Sequence, residues 1–271
     1  MTLQLRYKIT SQVPVEVEGI TPDTVSDKSL AEIEKLEVFQ GNYRTCLAEF
    51  FDVSGDPTDG RIVWEGDLAG VHWIGTQMSR GWMRVAGSAG RHVGSEMSGG
   101  EIQVDGDAGD WVGGEMHGGL IRVHGRAGHL IGSAYRGSAR GMTGGTILID
   151  GDVGNEIGHS MRRGLLVVGG QAQDLIGFNM LAGTIFVFGD CGIRHGAGMK
   201  RGTLGLFGPH RPPLLSSFRR ACRYRPEALA MLLRHLRRLD FQVPDHLMNA
   251  DIELYHGDLI EGGRGELWLP A

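Results

Sequence analysis

Eleven histidines and three cysteines are the residues of this chain with the most obvious chemistry, and their spacing does not gather them. Cys46, Cys191 and Cys222 fit no zinc site, iron–sulfur cluster or disulfide framework, so a reduced compartment is the simplest reading. No histidine pair or Cys/His pair stands at ligand spacing in a suitable element. His72, His92, His117, His124, His129 and His159 scatter over different slots of a repeat, as surface or corner residues would; a site assembled across neighbouring coils is the other reading. Glu96 and Glu115 occupy equivalent slots of adjacent repeats, which reads either as an acid/base pair or as two solvated carboxylates. The most suggestive set is Arg80, His117, Arg162, Arg163, Lys200 and Arg201, which recurs just after a column of methionines and is interrupted at Ser98, Thr143 and Leu181/Ala182. Stacked, these side chains would form a basic edge suited to an extended polyanion, or ordinary surface charge.

The element that must position them is a repeat between Gly60 and Gly208. Units beginning at Gly100, Gly145 and Gly183 read GEIQVDGDAGDWVGGEMHG, GTILIDGDVGNEIGHSMRR and GTIFVFGDCGIRHGAGMKR. Unit starts fall at Gly60, Gly81, Gly100, Gly119, Gly145, Gly164, Gly183 and Gly202, 19 residues apart except for 21 in the first unit and 26 in the fourth. The extra residues of the fourth lie around Tyr135–Met142. Such a period marks a solenoid. The pattern predicts an all-β fold, a right-handed parallel β-helix, with glycines at corners that need positive φ or close backbone approach.

Period-2 alternation points an inward ladder from Ile62/Trp64 through Leu204/Leu206, and a methionine column runs Met78, Met97, Met116, Met142, Met161, Met180 and Met199. A small column holds Ala69, Ala89, Ala108, Ala127, Val153, Ala172 and Cys191, which makes Cys191 an inert core residue rather than a nucleophile; His195 sits in an apolar column. Outward positions turn apolar in the late units at Leu148, Leu165, Val167, Phe186, Phe188 and Phe207, which predicts an interface: the C-terminal segment over part of it and a partner protein over the rest.

The predicted organisation is residues 1–59 as a strand and helix attachment, 60–208 as the β-helix, and 209–271 as linker, amphipathic helix and tail. Residues 1–18 alternate as two paired strands would. Ser29-Leu30-Ala31-Glu32 is a capping box, and Leu47–Val53 reads as a strand. Pro226 opens a helix with Leu229, Leu232, Leu233, Leu236 and Leu239 on one face. Arg211, Arg219, Arg220, Arg223 and Arg225 form a second basic group, either a partner surface or an anion site.

Composition narrows the function. Glycine accounts for 45 of 271 residues and the net charge is −5, which argues against a nucleic-acid binder. No helix-length segment follows the glycine motifs, so they are not dinucleotide loops. No stretch approaches a membrane span or a signal peptide, and the expected location is cytoplasmic.

The repeat resembles the glycine-repeat domain at the C-terminus of the glutamate synthase large subunit. Together with LAEIEKLEVFQGNYRTCLAEFFDVSG and YHGDLIEGGRGELWL it resembles the C subunits of formylmethanofuran dehydrogenases. The arginine-rich C-terminal helix is similar to that of the bacterial relatives, the C subunits of formyltransferase/hydrolase complexes. That resemblance implies a non-catalytic member of a hetero-oligomer with subunits A, B and D. The complex would move a formyl group from formyl-tetrahydromethanopterin to methylofuran and release formate. The resemblance supplies no catalytic residue and no cofactor bound for chemistry. It makes methylofuran's glutamate-rich tail a candidate ligand of the basic column. A member of an archaeal-type molybdenum or tungsten dehydrogenase, an autonomous β-helix enzyme and a glutamate-synthase-like spacer are the alternatives.

Overall fold

The computed structural model describes residues 2–9 and 11–271. It is mostly β, dominated by a thirteen-stranded sheet. Eight repeat strands stack in parallel and in order: Arg61–Glu65, Trp82–Ala86, Glu101–Val104, Leu120–Val123, Thr146–Ile149, Leu165–Val168, Thr184–Val187 and Arg201–Leu206. Their register is that of the repeat, with Ile62, Met83, Ile102, Ile121, Ile147, Leu166, Ile185 and Leu204 in one row. Both inward rows and all seven methionines of the column are buried. A second row of bridges follows the small column, and it starts at Leu68, not Ala69. Leu68 is fully buried while Ala69 is exposed, so the first unit fills the slot with a larger side chain.

The corners are only partly glycine's work. Trp73, His92, Trp111, Leu130, Glu156, Leu175 and Arg194 share one slot and all have φ between +59 and +67°. Gln77, Glu96, Glu115, Ser160 and Asn179 share a second left-handed slot. Left-handed backbone costs an ordinary residue about 1–2 kcal/mol. Here every such residue except Arg194 donates its N–H to the neighbouring unit, as Trp73 does to Arg91 O at 2.9 Å and Glu96 to Gly114 O at 2.8 Å. Carboxylates close other corners: Asp107, Asp110, Asp152 and Asp174 accept the amides of Arg126, His129, Gln171 and Ile193 at 2.7–2.9 Å. Stacking thus recovers the strain that one unit alone could not offset.

Both ends of the chain extend the stack. Leu3–Tyr7 lies parallel to Arg61–Glu65 and antiparallel to Phe51–Ser54. Val15–Glu16 joins a separate four-stranded sheet, so the two N-terminal strands do not pair with each other as the alternation predicted. The Ser29/Glu32 box forms, with Ser29 N donating to Glu32 Oε2 at 2.8 Å and Glu32 N to Ser29 Oγ at 3.3 Å. Leu47–Glu49 is a 3-10 turn before the strand Phe51–Ser54. At the other end Arg264–Pro270 runs parallel to Arg201–Leu206, followed outward by Ile252–Gly257 and Arg219–Tyr224, both antiparallel.

The helix Glu227–Arg238 corrects the predicted docking face. Leu148, Leu165, Val167, Phe186, Phe188 and Phe207 are all buried, but within this chain. They pack against Leu229, Leu233 and Leu236 of the helix and Phe241, Leu247, Ile252, Leu254 and Trp268 beyond it. These six side chains are therefore covered by the chain itself. The C-terminal segment returns far enough to cover all of it because Pro226 and Pro244 bracket a helix of only 12 residues, after which the chain doubles back. Arg122 marks where the cover ends. It holds Asp150 at 2.8 Å, donates to Leu239 O at 2.9 Å and lies over the Phe241 ring.

Candidate functional site

The basic column is built by the methionine corners. Ser98, His117, Thr143, Arg162, Leu181 and Lys200 each donate their backbone N–H to the preceding methionine-slot carbonyl at 2.7–2.9 Å, so these slots stack. The side chains do not form one site. Arg80 is drawn away by Asp23 of the N-terminal attachment, at 3.4 Å, and that carboxylate also takes both Ser79 donors. His117 Nδ1 meets Thr143 Oγ1 at 2.7 Å. Arg162, Arg163, Lys200 and Arg201 remain together at the late end, two rungs apart, or roughly 10 Å at the usual strand spacing. Arg163, Lys200 and Arg201 are exposed, and Lys200 has Glu261 at 3.9 Å. Among the described residues Arg162, Arg163 and Arg201 make no ion pair.

Sequence reasoning missed one member. Arg264 is exposed and pairs in register with Arg201 on the next strand, which lengthens the cationic edge by a rung. The signal was present: Arg264-Gly265-Glu266-Leu267 matches Arg201-Gly202-Thr203-Leu204 at three of four positions, a ninth strand of the repeat after a long detour. Five cations against Glu261 form an edge that an extended polycarboxylate can follow through charge-assisted hydrogen bonds.

A second cluster lies on the early units. The His92 ring stacks on Trp73 at 3.8 Å, and Tyr135 folds back from the fourth-unit insertion to stack on Trp111 at 4.7 Å. The Tyr135 hydroxyl donates to Ser95 Oγ at 2.8 Å and lies 3.1 Å from His92 Nδ1. Burial, helped by the positive charge of His72 and Arg91, lowers the His92 pKa to about 4; burial raises Tyr135 to about 12. Glu96 and Glu115 are each engaged by another residue. Glu96 accepts from Gln77 Nε2 at 3.0 Å and Glu115 from the Tyr135 amide at 2.8 Å.

The His92 environment has a testable consequence. The unfolded chain takes up the imidazole proton near pH 6.5, whereas the folded chain resists it until about pH 4. The stability this provides is complete above pH 6.5 and is lost as pH falls towards 4. Thermal midpoints measured across that window should decline more steeply in the natural chain than in His92→Phe, which keeps the stack and removes the titration. Equal slopes would take His92 out of the acid response.

Burial pushes the Cys191 thiol up to about 12, far from a thiolate nucleophile. His195 is buried, its Nε2 is 2.9 Å from Gly192 O, and burial lowers its pKa. His124 Nδ1 lies 2.8 Å from Asp150, the carboxylate that also holds Arg122. Among the described residues no three His, Cys, Asp or Glu side chains converge as a metal site requires. Among the described residues no helix is long and apolar enough to cross a membrane.

A family model described as the GXGXG motif matches residues 72–211. The C subunit of the tungsten-containing formylmethanofuran dehydrogenase 2 of Methanothermobacter wolfeii is 39% identical over 93 residues, 33% of this chain and 34% of that protein. The C subunit of the molybdenum-containing formylmethanofuran dehydrogenase 1 of Methanosarcina barkeri is 41% identical over 85 residues, 30% of this chain and 28% of that protein. These matches therefore span about a third of the curated relatives' length. A chain of the formyltransferase/hydrolase complex (FhcABCD) from Methylorubrum extorquens, solved in complex with methylofuran, superposes with a TM-score of 0.91 at 31% identity, covering 99% of both chains. With its repeat in register and both flanks placed as in that relative, the chain belongs to the GXGXG-motif family, alongside the C subunits of formylmethanofuran dehydrogenases.

Proposed function

We propose that this chain is a non-catalytic member of a cytoplasmic formyltransferase/hydrolase complex, the one that passes a formyl group from formyl-tetrahydromethanopterin to methylofuran and releases formate. Its repeat would wind as a right-handed parallel β-helix and act as a rigid spacer, with subunits A, B and D as partners. The observation that carries the reading is the likeness to a chain of such a complex over 99% of the length, flanks included. The tungsten and molybdenum dehydrogenase C subunits resemble the chain over about a third of it, which makes the dehydrogenase complex the second reading.

Within that complex the cationic edge of Arg162, Arg163, Lys200, Arg201 and Arg264 would hold the glutamate-rich tail of methylofuran. A flexible polyanion gains most from guanidiniums repeated at fixed spacing, because one ordering cost serves several charge-assisted bonds. Reversing Arg162, Arg163, Lys200 and Arg201 to glutamate should strip methylofuran from the purified complex by at least tenfold, read by mass spectrometry of the released cofactor. These side chains lie on the outside, so the thermal midpoint should hold within a few degrees. Full retention in a folded, assembled variant would sink the tail-binding role.

A further inference from the structure

The arginine group beyond the repeat lies on neither the cationic edge nor the covered face. Arg219, Arg220 and Arg223 belong to the strand Arg219–Tyr224, the outermost of the thirteen-stranded sheet. That strand pairs on one side only, with Ile252–Gly257, and Arg219–Arg223 are all exposed. Among the described residues no other backbone group bonds to it. One row of its N–H and C=O groups therefore faces solvent.

The charges around this row are out of balance. Arg211 and Arg220 share Glu253 at 2.8 and 3.0 Å, and Arg223 and Arg225 share Asp251, both at 3.3 Å. Arg219 has no ion pair among the described residues. Five guanidiniums against two carboxylates leave three positive charges uncompensated, on a chain whose net charge is −5. Guanidiniums that share one carboxylate keep N–H donors to spare. The opposite edge of the sheet, Phe51–Ser54, has no such excess: its Asp52 is matched by Lys8 at 3.1 Å.

We propose that the outer edge of Arg219–Tyr224 receives an extended acidic segment of another protein of its complex as an added strand. A row of arginines repels a second copy of the same edge, so it protects the chain from self-pairing. The same row favours an incoming strand that carries glutamate or aspartate, so the guard and the selector are one device. The bulge between Arg220 and Cys222 breaks the ladder, which suits one flexible segment better than a rigid sheet. The identification of the occupant as a member of the same complex rests on the heteromeric assembly proposed above; the strand-addition chemistry does not.

The test uses the full chain alone. The probe is a fluorescein-labelled octapeptide of alternating glutamate and valine, followed by anisotropy. It should bind saturably, lose at least tenfold in affinity for R219E/R220E/R223E, and slow alkylation of the exposed Cys222 by iodoacetamide. A peptide with proline at every valine keeps the charge but cannot pair its backbone, and it should bind at least tenfold more weakly. Equal binding of the proline peptide would reduce the edge to a simple anion surface and overturn the proposal. Failure of the first peptide to bind would leave the arginines as guards only, with the same result. The triple variant should remain folded, since Arg211 and Arg225 still meet Glu253 and Asp251. Methylofuran retention plays no part in this assay, so its outcome is separate from that of the tail-binding role.

Discussion

Leu233→Asp should detach the C-terminal layer and leave the repeat standing. Leu233 is fully buried at the centre of the second core, against the outward face that carries Phe186, Phe188 and Phe207. Truncating a buried leucine costs about 2–5 kcal/mol, and an unpaired carboxylate at the same place costs more. The repeat's own core lies on the other side of the sheet and does not contain Leu233. The variant should bind a hydrophobic dye strongly, become sensitive to proteolysis in residues 209–226, and associate, while its far-ultraviolet β signal persists. Met231→Asp on the exposed side of the same helix should do none of this. If Leu233→Asp instead lost all β signal in one transition, the two cores would be a single cooperative unit.

That face shows where the sequence could be read and where it could not. The late outward positions were legible as too apolar for water, because a sheet face shows its side chains at every second residue. What covers them was not legible. The helical stripe of Leu229, Leu233 and Leu236 says only that the helix needs an apolar partner, and another protein would serve as well as the chain itself. The inward columns were legible because they repeat at one period and stacking demands identical neighbours. Leu68 escaped because the first unit lacks the small residue that marks the slot elsewhere. Tyr135 escaped because an insertion has no period, and only folding shows that its ring returns to Trp111 and His92. In the basic column the stacking order was legible and the neutralisation of Arg80 was not, since Asp23 comes from a segment with no periodic relation to it. Arg264 could have been found by matching its four residues to the start of a repeat unit.

Gly119→Ala should cost more than any exposed substitution in the chain. Gly119 opens the fourth unit with φ +91°, a conformation that strains alanine by about 1–2 kcal/mol. An added Cβ would also stand 2.7 Å from Gly100 O. That oxygen cannot retreat, because it accepts the Leu120 amide at 3.0 Å and so belongs to the ladder between two units. Forcing the units apart there costs a further ~1–3 kcal/mol, as overpacking does elsewhere. In a stack each unit is stabilised only by its neighbours, so a fault in the middle weakens both halves at once. The combined loss should lower the thermal midpoint by roughly 4–20 °C, at about 2–4 °C per kcal/mol for a domain of this size. Gly70→Ala is the matched control: its Cβ would meet nothing within 4 Å, and its midpoint should stay within a degree or two. An unchanged midpoint in Gly119→Ala would mean that adjacent units can slide past the obstruction, and the stack would then be too soft to act as a spacer of fixed length.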